Sequence, residues 1–281
     1  MLGNRLGSNH MRSYNGLSDE MTGDLPMSNN PKVVVGSGWW CDNRSSEWAI
    51  GAPETRSLFF FYLWLRQVHC CLRPLRVVVT DSASPVKPDY QSDASVVWIE
   101  LDCNYGHSND LRTGRIKTKY SGFTRSVMNG AMYALCCNAD FYVYVEQDCL
   151  LYGEDLLANA IGDATEDILV GPPTKNGVGL NGIPAAPMLQ QSLMIVRRAA
   201  LDRFIEGLVG SPWSDGEVSP EEIMARRLTP FGLLRIPFGR SRPIDFGLTH
   251  FYAQHLTETE LSQILQLLRT SLPGGPGPFV P

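Results

Sequence analysis

The sequence predicts an α/β protein with a mostly parallel central sheet flanked by helices. Short valine-rich segments have the continuous apolar character of strands buried on both faces, and they alternate with segments whose apolar residues recur every three or four positions. Parallel strands need a crossover, usually a helix, so this alternation favours a parallel sheet. With 281 residues, 43% hydrophobic and 19% charged, the chain has a globular composition and can bury a sizeable core.

Three strands are predicted in the first part of the chain. The first begins with residues 32–35 and ends in Gly36-Ser37-Gly38-Trp39-Trp40, where glycines would let a ligand approach the backbone closely. The second strand covers residues 76–80 and ends at Asp81, and the third covers residues 95–101. Each is followed by polar or turn-forming residues, which is typical of strand ends.

Two long helices are predicted to cover this sheet, over residues 53–72 and 120–138. The first has a proline in its first turn, and the second gathers its apolar residues on one face. Before the second helix lies a polar loop, residues 102–119. Its cations suit either a solvated surface loop or a mobile cover for an anionic ligand; they are Arg112, Arg115, Lys117 and Lys119.

A fourth strand begins at Ala139 and runs into two acidic residues. Side chains alternate faces along a strand, so Glu146 and Asp148 project to the same side at its carboxyl end. Two carboxylates on a buried strand are costly unless a cation or a basic partner shares them. Closely spaced oxygen ligands suit Mg²⁺ or Mn²⁺. The simpler alternative is a strand that runs into an acidic turn.

The second half continues the alternation of strands and helices. Helices are predicted over residues 154–161, 199–209 and 220–228, and strands over residues 168–170, 191–196 and 233–237. Residues 171–189 form a long segment rich in glycine and proline, and loops of that length are usually functional lids or mobile segments.

The predicted domain organisation is simple. Residues 1–30 are polar and rich in Gly, Asn and Ser, and we interpret them as a flexible leader outside the fold. Residues 31–257 form one domain, in which residues 31–150 bind the ligand and residues 151–257 complete the site. Residues 258–281 add a C-terminal helix and a Pro/Gly tail.

Composition excludes several classes of protein. A net charge of -5 argues against a general nucleic-acid binder. The longest fully apolar run, residues 58–65, is too short to span a bilayer. Seven cysteines without a Cys-x-x-Cys pair fit reduced, mostly buried thiols in a cytoplasmic protein better than a disulfide framework or a zinc site.

The polar features converge on one edge of the predicted sheet. In open α/β sheets, ligands bind in the crevice at the carboxyl ends of the strands. The glycine-rich segment at residues 36–40, Asp81, and the pair Glu146 and Asp148 all follow strands at that edge. The sequence therefore predicts a binding site there.

The order of these elements resembles the GT-A fold of nucleotide-sugar-dependent glycosyltransferases over residues 31–256. Asp81 stands where that family holds the nucleoside. Glu146-Gln147-Asp148 corresponds to its Asp-x-Asp motif, with Glu in place of the first Asp. The helix before this motif matches the family pattern G-x-x-R-x-x-x-N-G-x-x-x-A at Gly122, Arg125, Asn129, Gly130 and Ala134.

The resemblance implies a GT-A central sheet, a smaller C-terminal acceptor-side region, and roles for particular residues. Mn²⁺ or Mg²⁺ would be held on the donor diphosphate by Asp148, Glu146 and His250, with His255 as the second candidate histidine. Glu221 would deprotonate the acceptor hydroxyl and so imply inversion, with Glu222 as the nearby alternative and Asp215 or Glu217 as remoter ones. The nucleotide sugar would contact Gly36, Ser37, Gly38, Trp39, Asp81, Lys119, Arg125, Glu146 and Gln147.

Other functions fit the sequence less well. A sugar-phosphate nucleotidyltransferase would carry a Gly-Thr-Arg-Leu-type loop after the first strand, which this chain lacks. A dehydrogenase would carry Gly-x-Gly-x-x-Gly directly after a strand, and no predicted strand of this chain is followed by it. The Gly-x-Ser-x-Gly turn of an α/β-hydrolase is absent. A non-catalytic nucleotide-binding protein of the same fold is the remaining alternative. The expected acceptor is a glycan, a lipid-linked molecule or a protein, and the expected location is the cytoplasm or the surface of a membrane.

Overall fold

The computed structural model describes residues 30–44, 50–174 and 189–270. The strands are β1 (Val33–Trp39), β2 (Arg76–Asp81), β3 (Val96–Glu100), β4 (Phe141–Val145), β5 (Cys149–Tyr152), β6 (Ile168–Gly171), β7 (Gln190–Arg197), β8 (Gly232–Leu233), β9 (Phe238–Gly239) and β10 (Phe251–Gln254). The helices are α1 (Leu58–Leu72), α2 (Ser108–Arg112), α3 (Gly122–Cys136), α4 (Leu156–Ile161), α5 (Leu201–Val209), α6 (Pro220–Arg227) and α7 (Glu258–Thr270).

The predicted fold class is confirmed by the central sheet, whose strand order is β3-β2-β1-β4-β7-β6-β8. Strands β1 to β4 run parallel, whereas β7 runs antiparallel to both of its neighbours. The valine run of β1 is at most 1% exposed, as expected of a strand buried on both faces. Helices α1, α4 and α7 pack on one face of the sheet, and α3, α5 and α6 on the other.

A second, three-stranded sheet was not predicted. Its order is β5-β10-β9, and β10 pairs antiparallel with β5 so that Gln254 lies opposite Cys149. The strand predicted over residues 233–237 is wrong, because β8 ends at Leu233 and the chain extends again only at Phe238. Strands this short leave little periodicity in a sequence, and pairing partners rather than local preference stabilise them.

The glycines at the end of the first strand also serve a purpose other than the predicted one. Strand β1 continues through both of them to Trp39 instead of turning. A Cβ atom at Gly36 would lie 2.5 Å from the Tyr142 hydroxyl oxygen, and one at Gly130 in α3 would lie 2.7 Å from the same atom. The small residues therefore make room for a buried tyrosine between strand and helix.

The remaining predicted elements are present with shifted bounds. The turn Pro53–Arg56 is a separate 3-10 helix, and Ser57 caps α1 by accepting a hydrogen bond from the Phe60 N–H. The polar loop at residues 102–119 contains the short helix α2. Residues 1–29 of the predicted leader, residues 175–188 of the predicted lid, and residues 271–281, which include the predicted Pro/Gly tail, lie outside the described residues.

The unit to which the described elements belong is Pro31–Pro281. The further division of residues 31–257 into two halves stays a prediction. Within the described part of the chain, no helix combines the length and the apolar character needed to cross a membrane.

We predict that Gly130→Ala destabilises the protein, although alanine is the better helix former by about 1 kcal/mol. The added methyl group would meet the Tyr142 ring and the Cα atom of Gly36 at 3.1 Å, and overpacking of this kind costs about 1–3 kcal/mol. Chemical denaturation measures the change. Ser262→Ala, at an exposed position in α7, is the control and should leave stability unchanged or slightly higher. A gain in stability for Gly130→Ala would contradict the packing described above.

Candidate active site

A cavity of about 900 Å³ opens at the carboxyl ends of β1, β2 and β4, the edge that the sequence predicts for a ligand. These strands contribute Gly38 and Trp39, Thr80, and Tyr144 to its wall. The segments that follow them contribute Trp40, Ser82, Glu146 and Gln147. The rest of the wall comes from distant parts of the chain and includes Arg56, Asn104, His107, Asp110, Arg115, Glu221, Arg240 and His255.

Gln147 fixes the end of β1 against the end of β4. Its side-chain carbonyl accepts a hydrogen bond from the Trp40 backbone N–H at 2.8 Å, and its amide nitrogen donates to the Trp40 carbonyl at 3.3 Å. This pair of bonds joins the residue that follows β1 to the turn that follows β4. It holds Trp40 at the cavity wall.

The predicted acidic pair is present, but its two members lie in different surroundings. Glu146 is partly buried and lines the cavity, whereas Asp148 is 1% exposed and lies behind the wall. The buried amide of Gln254 joins them: its nitrogen donates to Glu146 Oε2 at 2.6 Å and to Asp148 Oδ1 at 3.0 Å. The Gln254 carbonyl oxygen accepts a hydrogen bond from Arg240 Nε at 2.9 Å. All hydrogen-bonding groups of this amide are thus used.

A second arginine neutralises Asp148 directly. Arg56 Nη2 lies 3.1 Å from Asp148 Oδ2, and His255 Nε2 lies 3.7 Å from the same oxygen. The Arg56 side chain is 26% exposed and lines the cavity. A buried carboxylate is tolerated only when it is paired in this way.

The surroundings separate the pKa values of these groups. Burial, followed by the nearby Asp148 charge, raises the pKa of Glu146 to about 7. Burial also acts to raise the pKa of Asp148, but Arg56, then His255 and the Gln254 hydrogen bond, hold it below its usual value. Burial lowers the pKa of His255 to about 4 against the opposing pull of Asp148, so this histidine is neutral at physiological pH.

The predicted metal does not fit this arrangement. Both oxygens of Asp148 face N–H donors, one of them a guanidinium, and Glu146 shares the amide donor of Gln254. Among residues 30–44, 50–174 and 189–270, no group of three or more His, Cys, Asp or Glu side chains is disposed to hold a metal ion. Hard cations bind through free carboxylate oxygens, and here three of the four oxygens of the pair already face an N–H donor.

His250 lies away from this centre. Its ring nitrogens contact the Thr249 hydroxyl, the Glu154 carbonyl and the Asn159 amide. It precedes β10, whereas His255 follows that strand, and four residues of strand span about 13 Å. The structure therefore brings His255, the second histidine considered, to Asp148 instead.

Helix α6 separates the candidate bases. Glu222 is ion-paired with Arg226 one turn along the helix, whereas Glu221 lines the cavity and has no polar partner among the described side chains. Asp215 accepts hydrogen bonds from the backbone N–H (2.7 Å) and the hydroxyl (2.6 Å) of Ser121 at the start of α3. Glu217 accepts two from Ser214. Glu221 alone of these four faces the cavity.

Several predicted ligand residues lie behind or beside the cavity. Asp81 is fully buried, accepts a hydrogen bond from the Ser84 N–H and lies 3.6 Å from Lys87. Arg125 stacks on the Tyr105 ring, with its guanidinium carbon 3.6 Å from the ring centroid, and Lys119 reaches the Val209 carbonyl. Gly36, Ser37 and Glu222 are likewise absent from the wall, while Gly38, Trp39, Glu146, Gln147 and Glu221 are part of it.

Sequence reasoning missed Arg56, Arg240, Gln254 and His107. Arg56 ends a short 3-10 helix, Arg240 directly follows β9, and Gln254 ends β10, and strands this short leave no periodic pattern. His107 accepts a hydrogen bond from the Asn109 N–H and so caps α2 at the wall. No motif distinguishes these residues, because only the fold brings them to the acidic pair.

No family model matches this sequence, and no curated protein matches it. Solved structures resemble it in fold. S. aureus TarS 1–349 with UDP is 14% identical, aligning 87% of this chain with 66% of that one at a TM-score of 0.43. The mannosyltransferase PcManGT from Pyrobaculum calidifontis, with GDP-Man and Mn²⁺, is 15% identical over 89% and 67%, at 0.45. A putative glucose-1-phosphate thymidylyltransferase from Bacillus anthracis, with sucrose, is 8% identical over 88% and 97%, at 0.45.

The resemblance to glycosyltransferases that the sequence predicts thus recurs among solved structures as a resemblance of fold. The chain spans about two thirds of the length of the TarS and PcManGT chains. At these identities and TM-scores the likeness carries nothing about activity, donor or metal use.

We predict that Glu146→Gln becomes increasingly stabilising as pH rises from about 5 to about 8. The folded protein holds the Glu146 proton up to about pH 7, whereas the unfolded chain releases it near the usual value of 4.5. Raising the pH through this window therefore costs the wild type stability, and glutamine avoids that cost. Melting temperatures of both proteins across this range measure the effect. A constant difference would contradict the raised pKa.

Proposed function

We propose that this protein is a glycosyltransferase that moves a sugar from a nucleotide-diphosphate sugar to an acceptor hydroxyl. The observation that carries the proposal is that one cavity at the carboxyl edge of the sheet is lined by both a carboxylate and guanidinium groups. The carboxylate, Glu221, has no hydrogen-bond or ion-pair partner among the described residues. The guanidinium groups are those of Arg56 and Arg240, beside a third, Arg115, that is paired with Asp110. Sugar transfer needs a base for the acceptor hydroxyl and positive charge for the departing diphosphate. Both requirements are met by side chains on one wall.

The cavity also has the dimensions and surfaces that a nucleotide sugar requires. Its volume of about 900 Å³ lies at the upper end of the range for small-molecule sites. Trp40 is partly exposed and presents aromatic surface on which a base or sugar ring can stack, whereas Trp39 is 3% exposed and packs against Phe61. Thr80 and Ser82 line the cavity from the neighbouring strand and its end. Asp81, directly between them in sequence, supports this part of the wall from behind.

In the proposed reaction Glu221 accepts the proton of the acceptor hydroxyl as that oxygen bonds to the anomeric carbon. The bond from this carbon to the diphosphate oxygen breaks at the same time, and the electron pair leaves with the nucleoside diphosphate. Displacement from the opposite side inverts the anomeric configuration. Arg56 and Arg240, which line the same cavity, would stabilise the charge that accumulates on the leaving oxygen.

A nucleotidyltransferase is a weaker proposal for this cavity. Such an enzyme needs a flexible glycine-rich loop around the triphosphate after the first strand. Here the corresponding glycines belong to β1 itself. Side chains already occupy the space where their Cβ atoms would lie, Tyr142 at Gly36 and Ser126 at Gly38. A nucleotide-binding protein without catalysis differs from our proposal only in lacking turnover.

We predict that Glu221→Gln lowers kcat by roughly 10²–10⁴-fold, the usual contribution of a general base. Because glutamine keeps the shape of the side chain, donor binding should change little. Release of nucleoside diphosphate from a panel of UDP-, GDP- and TDP-sugars, with a mixed acceptor extract, measures turnover. Calorimetry measures donor binding.

The matched control is Glu222→Gln, one residue along the same helix. Glu222 is paired with Arg226 on the helix surface, so its loss should leave kcat within about threefold of the wild type, since exposed ion pairs contribute little. Equal losses in both variants would contradict the assignment of Glu221. Donor binding without turnover in the wild type, whatever the acceptor, would favour the non-catalytic alternative.

A further inference from the structure

We propose that Arg56 and Arg240 bind the diphosphate of the donor directly, in the place where a divalent cation would otherwise bridge it to the acidic pair. This inference rests on the proposed function, since it concerns the same donor. It follows from the hydrogen bonds and the ion pair that Glu146 and Asp148 already make with neighbouring side chains.

The carboxylate of Asp148 is not available to a metal ion. It is 1% exposed and absent from the cavity wall. Its Oδ2 faces Arg56 at 3.1 Å and its Oδ1 accepts from Gln254 at 3.0 Å. A cation at either oxygen would have to displace a hydrogen-bond donor and lie beside a guanidinium charge, which is electrostatically unfavourable.

Asp148 holds Arg56 at the cavity wall through a single ion pair with the Nη2 atom. One terminal nitrogen makes the ion pair, while Nε is buried and lacks a hydrogen-bond partner among the described residues. The remaining terminal nitrogen of Arg56 has no hydrogen-bond partner among the described residues, and the side chain is 26% exposed at the cavity wall, so an anion in the cavity can accept a hydrogen bond from it. Arg56 therefore combines a fixed position with unused donor capacity.

Arg240 is held in position by hydrogen bonds on the side away from the cavity. Its Nε donates to Gln254, and its backbone N–H donates to the Gln190 side chain at 2.5 Å. Its two terminal nitrogens have no hydrogen-bond or ion-pair partner in residues 30–44, 50–174 and 189–270, and the residue lines the cavity. A guanidinium held by Nε leaves a two-pronged edge that matches phosphate oxygens.

The contrast with Arg242 supports this division of roles. Arg242 is buried, pairs with Glu260 at 2.6 Å, and donates to the carbonyls of Gly239, Ser241, Gln254 and His255. Both of its terminal nitrogens are used in hydrogen bonds to the backbone at and around the second sheet. Arg240, two residues earlier, is anchored at one edge and open at the other.

The probe is inorganic pyrophosphate, titrated by calorimetry in EDTA and again in Mn²⁺ after correction for the manganese–pyrophosphate equilibrium. We expect binding in EDTA, with an affinity that changes less than about threefold with Mn²⁺. We expect Arg240→Gln to weaken pyrophosphate and nucleoside diphosphate binding by about tenfold or more, as for the loss of a charged hydrogen-bonding partner. Binding of the free nucleoside should be unchanged, which separates loss of a contact from general disorder.

The matched control is Arg235→Gln. Arg235 is an exposed arginine that pairs with Asp163 outside the cavity, so its loss should not change pyrophosphate affinity. Arg56→Gln is the second variant, and melting curves establish that each variant is folded. If Arg240→Gln does not fold, weakened pyrophosphate binding in Arg56→Gln alone tests the proposal.

The outcomes separate this inference from the proposed function. Binding of pyrophosphate only in Mn²⁺, or in neither buffer, overturns the inference. Turnover of a nucleotide sugar that needs Mn²⁺ overturns it as well and leaves the glycosyltransferase assignment standing. Metal-independent pyrophosphate binding without turnover of any nucleotide sugar supports the inference and overturns the proposed function.

Discussion

The architecture of the site depends on one buried amide. Gln254 donates both of its N–H bonds to carboxylates, one on Glu146 and one on Asp148, and accepts a bond from Arg240. Two neighbouring carboxylates away from bulk water repel each other, and each costs free energy unless donors surround it. The amide supplies donors to both and transmits the pairing to an arginine at the cavity. Removing it would take one hydrogen-bond partner from each of these three side chains and leave Asp148 with Arg56 and His255 alone.

The second sheet positions the side-chain amide of Gln254. Strand β10 pairs with β5, the strand that directly follows the acidic pair, so that its last residue, Gln254, lies beside Asp148. Arg242 then ties the carbonyls at the end of β10 to Glu260 in α7. The central sheet supplies the carboxylates and the small sheet supplies their partners. The site is therefore the junction of the two.

The cavity combines charges of opposite sign at its wall. Glu221 comes from the first turn of α6, while the guanidinium groups come from the turn before α1 and from the segment after β9. A carboxylate without a partner can accept a proton, and guanidinium edges without partners can hold an anion. This distribution is what transfer of a group from a phosphate-bearing donor requires. One cavity wall therefore contains both the proposed base, Glu221, and the proposed diphosphate-binding residues, Arg56 and Arg240.

The sequence by itself determined the α/β class, the strands β1 to β4, helix α3, and the position of Glu146 and Asp148 after the end of β4, because periodicity and strand ends are local properties. Glu221 was named only through the family resemblance, and the structure places it at the cavity wall. The tertiary structure alone decided which charges meet. Arg56, Arg240 and Gln254 lie far from the acidic pair in the chain, in short elements without periodic patterns, and Gly36 serves packing against Tyr142 rather than a ligand. Partner choice among charged side chains is set by long-range pairing, which no local pattern encodes.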